Sequence, residues 1–294
     1  MKKFLLLVTF CSSLLYAAEF TGRHASVPAR TLRIHQIDLG FPVGDMYLIR
    51  LPDDRVIMVD GGDNPSVEEF VFPALKKLNI KSIDTLIITH FHIDHATGIL
   101  AVLCDPEIKI GQLLYTSMPE KEIPGKFTKD LYSQIMKMAK LRNIPIRKLE
   151  VKDKLDFGCG VTATVSGAAQ AGSKDRNLNS HSLVFQLKYG DFTMLFTGDC
   201  SMQEEPRGMA SGMPIKSDVL KIGHHAGANS TSDKFLDTVA PKISIACMPK
   251  WLSEDKRGIR VEKMFKARKI PQYRSWEFPD LVVFSDGKTF GVYY

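Results

Sequence analysis

Between Thr85 and Gly98 the chain reads TLIITHFHIDHATG, which puts His90, His92, Asp94 and His95 directly after an apolar run. A lone histidine is more often packed or solvated than functional, and His24 and His35 are read that way. Three imidazoles and a carboxylate this close together are harder to explain. Without a metal, several partly buried donors and acceptors would each need a partner, at a cost in desolvation. A divalent cation satisfies their lone pairs at once, and zinc favours this set of ligands. The spacing suits the task. On a strand end His90 and His92 point to one side, while Asp94 and His95 begin the helix Ala96–Cys104 and are aimed at a second point. One short segment thereby serves two ions. Thr89 can hold a ligand by a hydrogen bond from behind, and Gly98 lets the start of the helix pack closely.

The remaining clustered histidines are His181, in NLNSHSLVF, and the pair His224 and His225, in LKIGHHAG. Two carboxylates follow glycine-containing or strand-ending turns, Asp60 in VDGG and Asp199 in TGD. A plain Gly-Asp turn is the bland alternative for Asp199.

The elements that must position these groups follow from the hydrophobic pattern. LRIHQIDL, MYLIRL and RVIMVD predict strands. SVEEFVFPALKKLN predicts a helix opening at Ser66 and kinked or split by Pro73. TLIITH is a strand apolar enough for burial on both faces; ATGILAVLC is a helix and KIGQLLYT a strand. FTKDLYSQIMKMAKLRN is an amphipathic helix ended by Pro145. GVTATVSG, SLVFQLKYG and DFTMLFTGD are strands, the last two joined by a hairpin turn at Tyr189–Asp191. DVLKIG, DKFLDTVA, KISIACM, VEKMFKARK, LVVFSD and TFGVYY complete the alternation. A faint internal echo runs through it. RVIMVDGGD leads to DTLIITHFH, and DFTMLFTGD leads to DVLKIGHH. Two such halves facing one another bring both histidine clusters and both aspartate turns to one edge of two packed sheets with helices outside.

THFHIDH resembles the HxHxDH signature of the metallo-β-lactamase-fold hydrolases, and VDGG, TGD and the late histidines extend the likeness. QIDLGFPVGDMYLI, NSHSLVF, LFTGD and VLKIGHHAGANSTS are more narrowly similar to the hydrolase domain of the ComEC DNA-uptake proteins and their free-standing relatives. The resemblance covers Leu32 to about Tyr294. It implies an α/β fold, an αββα sandwich of two mixed sheets flanked by helices, around a two-metal hydrolytic centre. Carried over to this chain, it puts His90 and His92 on the first ion and Asp94 and His95 on the second, with Asp199 bridging. One of His224 and His225 completes the second site; His224 is taken as the ligand and His225, with Asp94, as the catalytic pair. His181 is the candidate for a further ligand on the first ion, although the ComEC-like pattern usually has Asn at that place. Asp60 is expected to orient ligands rather than bind metal. The cofactors implied are two divalent ions, zinc first and manganese as the alternative.

Composition limits the rest. The chain has 294 residues, 44% hydrophobic and 24% charged, as an ordinary globular enzyme does. MKKFLLLVTFCSSLLYAAEF reads as a secretory signal, with two lysines, a short apolar run and small residues at Ala17 and Ala18. This predicts a signal peptide over 1–18, one hydrolase domain over 19–294, and a periplasmic or secreted product with no membrane span. Without Lys2 and Lys3 the balance is 37 basic to 33 acidic residues, which permits an anionic substrate without by itself indicating nucleic acid. Cys104, Cys159, Cys200 and Cys247 allow two disulfides in an oxidising compartment or four free thiols. The expected reaction is metal-dependent hydrolysis of a phosphodiester or other phosphoester, with an anionic small molecule or nucleic acid as partner and no stable protein partner. Lactone or β-lactam opening is the alternative chemistry, and a non-catalytic metal-binding envelope protein the alternative class.

Overall fold

The apolar runs form strands whose alternate side chains serve two separate cores. In β4 (Val56–Val59), Ile57 and Val59 join one buried cluster while Val56 and Met58 join another. This double burial is why such strands read as unbroken apolar runs. The computed structural model describes residues 21–22, 30–40, 43–116, 123–168 and 176–294. The leader-like segment 1–18 lies outside them.

Among the described residues two mixed sheets stack face to face. The first contains β1 (Thr21–Gly22), β2 (Leu32–Gln36), β3 (Tyr47–Arg50), β4, β5 (Ser82–Ile88), β6 (Lys109–Thr116), β7 (Ile146–Leu149), β15 (Val282–Ser285) and β16 (Phe290–Tyr293). Their order is β1-β16-β15-β2-β3-β4-β5-β6-β7. The second sheet runs β14 (Gln272–Arg274), β13 (Ile243–Ala246), β12 (Val219–Lys221), β11 (Phe192–Phe196), β10 (Val184–Tyr189), β9 (Val161–Gly167) and β8 (Lys154–Gly158). Ile34, Tyr47, Val59 and Ile87 meet Val165, Phe185, Phe196 and Ile245 between the sheets. Outside the first sheet, the helices Ile93–Cys104 and Lys126–Leu141 contribute Ile99, Val102, Leu131 and Ile135 to a second cluster. Outside the other sheet, Asp233–Val239 and Lys256–Ala267 contribute Phe235, Val239, Val261 and Phe265 to a third. The αββα layering expected from the sequence is the architecture observed. No helix among the described residues is long and apolar enough to cross a membrane. Cys104, Cys159, Cys200 and Cys247 are all free thiols.

The internal echo is built as two matching parallel pairs. β4 pairs with β5 and β11 pairs with β12, both parallel. Each pair is fastened by an aspartate near the start of its second strand, Asp84 within β5 and Asp218 just ahead of β12: Val56 N–H donates to Asp84 at 2.8 Å, and Thr193 N–H to Asp218 at 2.9 Å. Both pairs therefore end at the same edge, one in Asp60 and His90, the other in Asp199 and His224–His225.

Pro73 does not split its helix. The path Asn64–Ser66, Val67–Val71, Phe72–Lys77 is continuous, and its middle section is a π turn in which Phe72 N–H reaches Val67 O. The wider turn absorbs the irregularity that the proline ring imposes. The helix after β5 also begins earlier than the sequence suggests, at Ile93 with His92 as its N-cap.

That helix is held against the turn after β4 at backbone distance. Gly61 N–H donates to His95 O at 2.7 Å, and Gly98 N–H to Gly62 O at 3.1 Å. A Cβ on Gly98 would lie 1.8 Å from Gly61 O, and backbone cannot swing aside as a side chain can. Gly98→Ala is expected to destabilise the fold by about 3 kcal/mol or more, measured by denaturant unfolding against the wild type.

Candidate metal centre

Each functional side chain stands where a strand stops at the shared edge. His90 follows β5, and His92 caps the next helix, whose first turn carries Asp94 and His95. Asp199 follows β11 through Gly198, which has a φ of +50°. The late histidines follow β12 through Gly223. His224, His225 and Ala226 all adopt left-handed backbone, with φ of 45°, 51° and 59°. Three consecutive non-glycine residues there are strained by about 1–2 kcal/mol each.

This turn decides which of the two histidines enters the centre. His225 is buried, and its Nε2 lies 3.4 Å from both Asp94 Oδ2 and Asp199 Oδ2. His224 lies at the rim with its side chain 33% exposed and its Nε2 3.9 Å from Asp199. Asn179 Nδ2 donates to that Nε2 at 3.2 Å, and His224 Nδ1 donates to Asn229 Oδ1 at 2.6 Å. The structure thus reverses the positions expected for the pair: His225 stands among the candidate ligands, and His224 faces the opening.

Four donor groupings converge among the described residues: His90–His92–Asp199, Asp94–His95–His225, Asp45–Asp199–His225 and Asp45–Asp60–His95. Asp199 lies between the His90–His92 pair and the Asp94–His95–His225 trio. Its Oδ2 is 3.9 Å from His90 Nε2, and its Oδ1 is 3.2 Å from His95 Nε2. His181 is buried in the turn Leu178–His181 and belongs to no such grouping among the described residues. Its carbonyl accepts from Thr116 Oγ1 at 2.6 Å, and from the same turn it is Asn179 that reaches the rim histidine.

Outward-facing hydrogen bonds fix the rings. His95 Nδ1 donates to Asp60 Oδ2 at 2.8 Å, and His225 Nδ1 donates to Cys247 O at 3.0 Å. His90 Nδ1 is 3.2 Å from Thr89 Oγ1, which donates in turn to Asp60 at 2.7 Å. Each ring therefore turns its Nε2 inward. Among the buried polar atoms without a hydrogen-bond partner are His95 Nε2, His225 Nε2 and Asp199 Oδ1. Inward lone pairs, anchored from behind and unpaired in front, are the donor set a divalent cation fits.

The charges lead to the same fit. Burial opposes charge on His95 and His225, but Asp199, joined by Asp60 at the first and Asp45 at the second, outweighs it and holds both well above the usual imidazole range. Burial and the neighbouring His95 push His90 well below that range. Burial works against ionised Asp199, yet His225 and His95 pull its carboxyl well below the carboxylate range. The carboxylates thus call for positive charge at the positions a bound cation would supply.

Two further buried groups belong to the centre. Asp45 is buried beside His225 and His95, and it forms an ion pair with Lys221, which is itself buried and donates to Gly198 O at 2.6 Å. Burial disfavours an ammonium there, but Asp45 and Asp199 outweigh it and raise the lysine pKa. A lysine inside an apolar run such as VLKIG was the available signal, since so placed it must be buried and paired.

Comparison with known proteins bears on the fold. Residues 39–103 match the family model described as Metallo-beta-lactamase superfamily. A solved metal-dependent hydrolase of the beta-lactamase superfamily superposes with a TM-score of 0.53 at 12% identity, over 85% of this chain and 98% of that one. Over residues 39–103 the chain is similar to the metallo-beta-lactamase superfamily, and its fold is that of the solved hydrolase. ComE operon protein 3 of Bacillus subtilis (strain 168) is 25% identical over 72% of this chain. Cleavage and polyadenylation specificity factor subunit 3 of Dictyostelium discoideum is 26% identical over 65%. The chain spans 28% and 25% of the lengths of these two relatives.

Asp60 anchors His95 directly and His90 through Thr89. Asp60→Asn, which keeps the shape and tolerates the left-handed backbone (φ 56°), is expected to weaken zinc binding about 10- to 100-fold. Competition titration against a chromophoric chelator measures it, and the zinc-induced rise in unfolding temperature should shrink accordingly.

Proposed function

We propose that this chain is an exported, two-metal phosphodiesterase acting on nucleic acid or a related phosphodiester. The observation that carries the reading is the Asp199 carboxylate standing between the His90–His92 pair and the Asp94–His95–His225 trio at one edge of the sandwich. ComE operon protein 3 and the cleavage and polyadenylation specificity factor subunit among its relatives support that substrate class, and the leader-like segment 1–18 supports export.

His90, His92 and Asp199 would hold one ion, and Asp94, His95, His225 and Asp199 the other. When bound, such a pair lowers the pKa of a shared water towards about 7 and polarises the scissile oxygen. The chain's own groups do the rest. Asp94 is the more open of the central carboxylates, its side chain 20% exposed and 3.4 Å from His225; it accepts the proton lost by the nucleophile and passes it to the leaving oxygen. His224 is kept off the ligand set by its two asparagines and presents a ring edge to the phosphoryl group. Lys221 and Asp45 keep Asp199 oriented from behind. Zinc suits the second donor set. The first has only three protein donors, which also admits manganese.

Purified protein with zinc or manganese is expected to hydrolyse bis-p-nitrophenyl phosphate and to leave nitrocefin intact. His225→Ala should lose bound metal, measured by elemental analysis, together with activity. His224→Ala should retain metal while turnover falls about tenfold or more. Nitrocefin hydrolysis without phosphodiester hydrolysis would refute the reading.

A further inference from the structure

Two amides face opposite ends of the His224 ring. Asn179 Nδ2 donates to Nε2 at 3.2 Å, and Nδ1 donates to Asn229 Oδ1 at 2.6 Å. Together they select one tautomer, with the proton on Nδ1 and the lone pair on Nε2. A half-buried ring on left-handed backbone loses rotamer freedom when it is fixed in this way. The amides can fix it only if they are themselves held, and each rests on a charged side chain further out.

Behind Asn179 stands Glu204, which is buried. Its Oε1 accepts from Ser180 Oγ at 2.9 Å, and its Oε2 accepts from Ser201 N–H at 3.0 Å and from Ser201 Oγ. Ser180 is next to Asn179 in the turn Leu178–His181, and Ser201 follows Asp199 by two residues. One carboxylate therefore ties the turn that carries the amide to the loop that carries the central aspartate. Asp199 N–H donates to Ser182 Oγ at 3.0 Å and closes the same connection. Hydrogen bonds to an ionised acceptor are the stronger kind. Glu204 belongs to no donor grouping among the described residues, which separates its role from metal binding.

Behind Asn229 stands Arg260, on the helix Lys256–Ala267. Its guanidinium donates to Ala228 O at 3.0 Å, to Thr231 O at 3.3 Å and to Ser230 O. These carbonyls lie on both sides of Asn229, in a loop where Thr231 has a φ of 57°. A planar fork can gather three carbonyls in a fixed arrangement, and a lysine ammonium cannot. The two arms also meet, because Met202 N–H donates to Asn229 O at 2.7 Å. A frame thus runs from Glu204 through Asn179, His224 and Asn229 to Arg260.

We propose that Glu204 and Arg260 are positioning residues, which hold the His224 ring in one orientation at the rim of the metal centre through Asn179 and Asn229. The consequence for turnover rests on the phosphodiesterase reading; the fixed ring does not.

Long-range proton–nitrogen spectra of isotope-labelled, chelator-treated protein read the tautomer at about pH 8.5, above the usual imidazole pKa. The His224 signals are assigned by their loss in His224→Ala. Wild type should show the Nδ1–H form alone. Ser180→Ala cuts only the link from Glu204 to the Asn179 turn, and Arg260→Lys removes the fork. Each should move both ring nitrogens towards the average of the two tautomers. Glu204→Ala should do the same, and Ser180→Ala tests that arm if Glu204→Ala fails to fold. With zinc and bis-p-nitrophenyl phosphate, Ser180→Ala and Arg260→Lys should each lower kcat about 3- to 10-fold. In the His224→Ala background neither should lower it further, and bound zinc should stay at the wild-type level. Unchanged nitrogen signals in either variant, loss of zinc from either, or equal losses of turnover with and without His224 overturn the proposal. If wild type turns over no phosphodiester, the phosphodiesterase reading fails, and the nitrogen signals alone decide whether the ring is held.

Discussion

The centre depends on the carboxylate of Asp60. One oxygen accepts from Thr89 N–H at 2.8 Å; the other accepts from Thr89 Oγ1 at 2.7 Å and His95 Nδ1 at 2.8 Å. The first bond ties the turn after β4 to the end of β5, and the others aim His95 directly and His90 through the threonine. The rings of both candidate sites are thus referred to one buried group. Burial raises the pKa of that carboxyl despite His95, so the hydrogen bonds must hold it in place against its own desolvation. Its left-handed backbone is the local cost of directing the side chain into the protein.

The second half of the chain completes the arrangement by a different device. Gly223 leads into a left-handed turn that presents consecutive residues to opposite environments, so that His225 enters and His224 stays at the opening. Lys221, held by Asp45, sets its ammonium 3.8 Å behind Asp199 Oδ1. A buried pair like this contributes little net stability after desolvation, but it holds a carboxylate in the orientation a shared ligand requires.

The sequence revealed a large part of this. Period-two and period-3.6 patterns marked the strands and the longer helices, and the internal echo put both histidine clusters on one edge. The ligand-rich stretch after β5 was legible because its residue types have no cheaper explanation. The roles of His224 and His225 were not, because they depend on φ values that no residue type announces. Asp45 was hidden because an isolated Gly-Asp reads as a turn until the fold sets Lys221 against it. His181 attracted attention as a histidine, while the smaller Asn179, two residues earlier, makes the contact at the rim. The π turn before Pro73 escaped notice since proline signals disruption without specifying its form.

The ion pair between Asp45 and Lys221 joins groups that enter from different layers, one ahead of β3 in the first sheet and the other at the end of β12 in the second. Asp199 and the early histidines meet across the same seam. The charged groups of the centre therefore span the seam between the two layers, while the apolar core between the sheets carries their cohesion. A change at one layer's edge shifts the donors that the other layer presents.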